Sequence, residues 1–170
     1  NDNSSSGSGG PLTINGNVNI HGNFSMGKKS GDDLKTLGNL NFYSDYNFYP
    51  NNRAVWFIKP SGTQSITTPS NPALTIPYIV IGTTGSGTTL QLGQNLTINA
   101  PSSGNAIAFT NNNDIIDLNG HNLTIGTSGI SNQISGPGSF KGNSSSDLTL
   151  LGTGSVGALQ FTSGYQQLRN

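Results

Sequence analysis

Few side chains in this sequence are of a kind that does chemistry, and their spacing is poor for it. Hydrolysis of a polysaccharide needs clustered carboxylates, or bases beside a bound cation. The candidates are Asp114 and Asp117. Three apart on a strand, they should face opposite sides of it and not meet. Asp32-Asp33 lies beside Lys28-Lys29 and reads as a solvated turn, and Asp147 has no acidic neighbour in sequence. A meeting of carboxylates between distant segments stays open. His21 and His121 lie a hundred residues apart, and neither sits in a metal-binding motif. Calcium asks for several hard oxygen ligands. Neither an Asp-x-Asp-x-Asp run nor a Gly-Gly-x-Gly-x-Asp repeat occurs, which leaves open only a structural calcium site built from backbone carbonyls. The absence of cysteine excludes disulfides and thiolate metal sites. Gly82 to Gly87 lacks the Gly-Lys-Ser/Thr ending of a phosphate loop. The expectation is a chain without catalysis and without a cofactor.

Aromatic residues offer the other candidate. Phe42, Tyr43, Tyr46, Phe48, Tyr49, Trp56 and Phe57 place seven of thirteen aromatics within sixteen residues. Tyr43, Tyr46, Tyr49 and Trp56 would suit a sugar, because exposed aromatic faces mark recognition surfaces. The competing reading is packing: aromatics bury large areas, and the cluster would then form an irregular coil or a cap.

The elements that must position these residues are short strands. Asn95-Leu96-Thr97-Ile98 is followed 27 residues later by Asn122-Leu123-Thr124-Ile125, and 25 residues after that by Asp147-Leu148-Thr149-Leu150. Ala106-Ile107-Ala108-Phe109-Thr110 returns as Ala158-Leu159-Gln160-Phe161-Thr162 after 52 residues. Two motifs with one shared offset, in the range of solenoid periods, predict stacked coils. The fold class expected is all-β: a right-handed parallel β-helix (β-solenoid) with irregular coils and an aromatic-rich segment. The ladders expected are Leu96–Leu123–Leu148 and Ile98–Ile125–Leu150, with Ile107 over Leu159 and Phe109 over Phe161 on another face. Ile116, Leu118, Leu123 and Ile125 should point inward, and Asp117 and Thr124 to solvent. Asn95, Asn122 and Asp147 should cap turns.

Residues 1–11 read as a flexible linker and 12–170 as a β-solenoid fragment, with 28–60 an irregular coil or cap-like insertion. Alternation over 12–26 predicts short strands. Asn15-Gly16 fits either a hairpin turn or a solenoid corner. Residues 28–37 hold the one plausible helical turn, too short for a stable helix. Thr97, Thr124 and Thr149 should stack on an outer face. Ice-binding solenoids usually carry Thr-x-Thr on each coil, whereas each rung here has one Thr. An antiparallel sandwich is the alternative fold, but it does not require one offset in two unrelated motifs.

Composition agrees with a thin apolar column. Hydrophobic residues make up 31 % and charged residues 8 %, which is low for a compact globule and unlike a charged disordered tail. Seven basic and seven acidic residues cancel, so the positive footprint of a nucleic-acid binder is missing. The apolar run around Ile79-Val80-Ile81 is too short to span a bilayer. Nothing at Asn1 resembles a signal peptide, so the chain reads as a mature or excised part of something larger.

Ile134-Ser135-Gly136-Pro137-Gly138-Ser139-Phe140-Lys141-Gly142-Asn143-Ser144-Ser145-Ser146-Asp147-Leu148-Thr149-Leu150 continues into Leu151-Gly152-Thr153-Gly154 and then Leu159-Gln160-Phe161-Thr162-Ser163-Gly164-Tyr165-Gln166-Gln167-Leu168. This resembles the repeat text of giant β-strand-repeat surface adhesins of Bacteroidota, some of which resemble gliding-motility adhesins. The likeness covers residues 88–170, loosely 12–27, and not 28–80. It implies a non-catalytic structural or display segment of an exported adhesin filament at the cell surface. Its partners would be neighbouring coils of the same polypeptide or a stacked partner chain, with surface glycans as possible ligands. A carbohydrate-binding module is the alternative, and a polysaccharide-active β-helix enzyme the remote one.

Overall fold

The computed structural model describes residues 9–69, 74–85, 87–99, 104–126, 133–152 and 155–169. Among these there is no helix. Eighteen short strands follow one another, and every strand pair is parallel. The fold is a β-solenoid, and the antiparallel sandwich is excluded.

Each coil contributes one strand to each of three faces. The first face stacks β1 (Leu12–Ile14), β4 (Leu34–Thr36), β7 (Ala54–Phe57), β10 (Tyr78–Ile81), β13 (Ile107–Phe109) and β16 (Ile134–Ser135). The second stacks β2 (Val18–Ile20), β5 (Leu40–Phe42), β8 (Gly62–Thr67), β11 (Thr88–Leu92), β14 (Ile115–Asp117) and β17 (Ser139–Lys141). The third face divides in two. β3 (Asn23–Ser25) pairs with β6 (Asn47–Tyr49), and β9 (Leu74–Ile76), β12 (Leu96–Ile98), β15 (Asn122–Ile125) and β18 (Asp147–Leu150) form a separate four-stranded sheet. Asn15-Gly16 therefore turns a corner between β1 and β2, which belong to different faces.

The third-face ladders run as their alternation predicts. Leu74, Leu96, Leu123 and Leu148 stack in register, as do Ile76, Ile98, Ile125 and Leu150. A three-residue strand cannot bury its apolar side chains alone, whereas stacking gives each one a neighbour above and below. Ile116, Leu118, Leu123 and Ile125 are buried as expected.

Several expectations are corrected. The helical turn at 28–37 is replaced by β4, with Leu34 buried inward and Lys35 facing out. Within the expected insertion at 28–60, β4, β5 and β7 are each paired on both sides, and β6 is paired with β3. The second motif of the 52-residue offset does not stack on its copy. Ile107 lies over Ile134, and Ile134 bridges to Gly157, not Leu159. Leu159 is 38 % exposed. Phe109 belongs to the first face, whereas Phe161 bridges to Phe140 on the second. The two phenylalanines communicate only through Phe140, whose ring lies between them at 5.6 Å and 6.1 Å. Phe161 is partly buried, not fully. The reason is that coils differ in length. Register steps on the first face run from 21 residues, Leu34 to Val55, to 28, Ile79 to Ile107. A shared sequence offset therefore does not guarantee a shared face.

The interior is not wholly apolar. Thr36, Gln64, Thr88 and Asp114 are fully buried where the chain turns from first face to second. Their hydrogen bonds form a seam along the stack. The Gln64 side-chain amide donates to the carbonyl oxygens of Thr36 and Gly38. The Gln64 side-chain oxygen accepts from the Lys59 N–H at 2.9 Å. The Thr88 hydroxyl donates to the Lys59 carbonyl oxygen, and the Thr88 N–H donates to Asp114 at 2.9 Å. Tight corners free backbone groups from the ladders, and a buried polar group without a partner is costly. Gly82 completes this corner. Its φ is +89°, and a Cβ there would lie 2.2 Å from an Asp114 carboxylate oxygen, so a side chain is excluded on both counts.

Candidate functional site

The four candidate sugar-binding aromatics all lie on the second coil or at the start of the third. Tyr43 directly follows β5, at the corner leading to the third face, and is 43 % exposed. His21 from the coil before stacks on it, with ring centroids 3.9 Å apart, and Asp45 lies 3.1 Å from His21 Nδ1. One face of Tyr43 is thereby occupied. Tyr46 sits in the turn before β6 and meets Phe42 edge-on at 5.0 Å. It is a packing residue against the core. Tyr49 ends β6 and is 52 % exposed.

Trp56 is on another face. It stands on the outer side of β7, in register between Lys35 and Val80. The Lys35 ammonium lies 4.2 Å from the ring centroid, and the indole N–H donates to Asp33 at 3.1 Å. Asp33 also accepts from the Ala54 N–H at 3.0 Å. It is thus a tie between coils, not the solvated turn residue expected. The chain wraps Tyr43, Tyr46, Tyr49 and Trp56 around a coil: Tyr43 and Tyr46 flank one corner, Tyr49 closes the third face and Trp56 lies on the first. The phenylalanines of the segment fill the interior. Phe42 meets Phe48 edge-on at 5.3 Å, and Phe48 stacks on Phe24 at 6.0 Å.

The carboxylates are held apart by separate networks. Asp114 lies in the turn before β14, not on a strand, and is fully buried. Its oxygens accept from the N–H groups of Thr88, Thr110 and Asn111 at 2.9, 3.0 and 2.7 Å, and from the Thr110 hydroxyl at 3.2 Å. This set of donors is that of a corner staple. Asp117 does face outward, in register between Gln91 and Lys141. Contrary to expectation it is 7 % exposed, because Lys141 folds over it with Nζ 3.1 Å from the carboxylate. The sequence gave no hint of the Asp114 staple, since its donors come from three different segments. The Lys141 cover depends on a 24-residue register step, close enough to the 25-residue motif spacing to have been sought.

Asn95 and its counterparts do more than cap local turns. The Asn95 side-chain oxygen accepts the Asn122 N–H of the next coil at 2.9 Å, and Asn122 stands in register with Asp147. Asp147 in turn pairs with Arg169. Beside this column Thr75, Thr97, Thr124 and Thr149 form an outer ladder, one Thr per rung. Three more side-chain ladders link coils on the second face. Asn41 donates to Asn19 at 2.9 Å, Thr67 donates to Asn41 at 2.8 Å, and the Asn39 N–H donates to the Asn17 side chain at 2.8 Å. Among the described residues no group of three or more His, Cys, Asp or Glu side chains is placed to hold a metal ion. No family model matches the chain, and no curated protein or solved structure matches it.

Proposed function

We propose that the chain is a structural segment of an exported surface adhesin, non-catalytic, which extends or displays other regions of a filament. The observation that carries this reading is the stack itself. Side chains with hydrogen-bonding capacity are spent on tying one coil to the next: Asn95 to Asn122, Asn19 to Asn41, Gln64 to the Thr36 carbonyl, Asp117 to Lys141. Such a molecule transmits rigidity along one axis and presents a neutral side surface. The repeat text of residues 134–168 supports the adhesin context by resemblance. Antibody raised against this chain should label intact, unpermeabilised cells of the producing organism. Labelling confined to permeabilised cells would remove the surface assignment.

A carbohydrate-binding module is the second reading, favoured by the exposure of Tyr43 and Tyr49. A glycan array followed by calorimetry separates the two. Saturable sugar binding that Trp56→Ala or Tyr49→Ala abolishes, in a variant still folded by circular dichroism, would replace the purely structural reading.

A further inference from the structure

The two ends of the third-face sheet differ from its middle. Leu74, Leu96, Leu123, Ile76, Ile98 and Ile125 are between 0 and 2 % exposed. Leu148 and Leu150, in register one rung further on, are only partly buried, and Leu151 beside them is 54 % exposed. Among the described residues nothing pairs with the outer edge of β18, which ends the sheet. The chain has meanwhile begun a seventh coil on the other two faces. Ile134 bridges to Gly157 and Phe140 to Phe161. That coil then runs along the base of the third face, where the Arg169 N–H donates to the Ser146 carbonyl and its guanidinium pairs with Asp147. The described chain is thus brought into register with the residue immediately before β18.

We infer that the free edge of β18 is a docking site for one extended strand of a partner polypeptide, parallel to β18, with the alternation apolar–Thr/Ser–apolar. The inference deepens the reading above, since it takes the chain to be a unit built for stacking. Its chemistry follows from the ladder. Strand spacing and the two-residue side-chain period put the partner's apolar residues on Leu148 and Leu150 and its hydroxyl beside Thr149. The Asp147 and Leu151 N–H groups donate backward to His121 and Ile125. Alternation then turns the Leu148 and Leu150 N–H groups toward the open side. Edges of this kind are normally guarded by Lys, Pro or a bulge. β18 carries only Asp147, whose charge Arg169 already meets. A whole coil of a second copy does not fit, because residues 157 and 161 already occupy the first and second faces at that level. A lone strand does fit, as in other strand-addition complexes.

The test uses the full chain and a peptide with the β15 sequence, Asn-Gly-His-Asn-Leu-Thr-Ile-Gly, read by residue-resolved hydrogen exchange. The peptide should slow exchange at Leu148 and Leu150 by roughly tenfold, with β12 and β15 unchanged. Interchanging Leu and Thr in the peptide, which sends its apolar residues to the wrong side, should remove the effect. Leu150→Lys should remove it too, and protection in β12 and β15 reports whether that variant still folds. No slowing at millimolar peptide, with β12 and β15 still protected, would overturn the inference. So would equal slowing by the interchanged peptide. Neither result would touch the surface assignment, which rests on labelling of intact cells.

Discussion

Asp114 shows how a carboxylate can look catalytic in sequence and be structural in place. Its oxygens gather N–H groups of Thr88, Thr110 and Asn111 inside a corner. Replacing it leaves buried donors without acceptors, and each such donor costs about 1–3 kcal/mol. Asp114→Ala should therefore lower stability by roughly 2–4 kcal/mol, read from the urea midpoint at constant slope. A loss indistinguishable from a surface substitution would show that the staple is ornamental. Tyr78 supplies a pH dependence. Burial first, and then the nearby Asp33 charge, raise its phenol above the ordinary value. A raised folded value means that the native state holds the proton more tightly. Its contribution is thus fully present below the ordinary tyrosine range and is lost as pH rises through it. Tyr78→Phe should flatten the alkaline limb of a stability–pH curve, and an unchanged limb would contradict the assignment. Residue roles were only partly legible. Leu, Ile and Thr orientations follow from alternation alone. Asp33, Asp114 and Asp117 take their roles from partners 21 to 26 residues away, which no local pattern announces.

Strands read more clearly than loops, and the third face most clearly of all. The motif Asn-Leu-Thr-Ile recurs there with little change, so the ladder from Leu96 to Leu148 was visible at once. The first face was harder, since its register steps drift between 21 and 28 residues. There the match of Ala106–Thr110 with Ala158–Thr162 misled, because Phe161 lands under Phe140. The aromatic stretch hid ordinary rungs. Lys35 and Asn41 alternate with buried Leu34 and Leu40, but three-residue strands give too short a pattern to stand out from turns. Burial ranks the substitutions accordingly. Phe140 is fully buried, so Phe140→Ala should cost about 3–5 kcal/mol. Phe161→Ala, at a partly covered end rung, should cost clearly less. Thr124→Ala on the outer ladder should stay within about 0.5 kcal/mol. Chemical denaturation of the three variants checks the order, and a Thr124 loss as large as that of Phe140 would reverse the assigned facing.

The whole molecule is quasi-one-dimensional: each coil touches mainly the coil before and the coil after. Its stability is then a sum of coil terms and coil–coil interfaces, and its low apolar content suffices because the core is a column, not a sphere. Such a shape suits extension, which is the basis of the structural reading. It also makes a plain geometric demand, that separation along the axis count rungs and ignore sequence distance. Thr13 and Ser135 stand on the same outer row of the first face, five register steps apart through Lys35, Trp56, Val80 and Ala108. The chain has no cysteine, so spin labels at Thr13→Cys and Ser135→Cys attach nowhere else. Pulsed electron paramagnetic resonance on that pair should give one narrow distribution corresponding to a Cα separation of about 24 Å, five strand spacings of about 4.8 Å. A broad distribution, or one centred below about 15 Å or above about 35 Å after allowance for the label arms, would mean that these strands do not stack at this spacing.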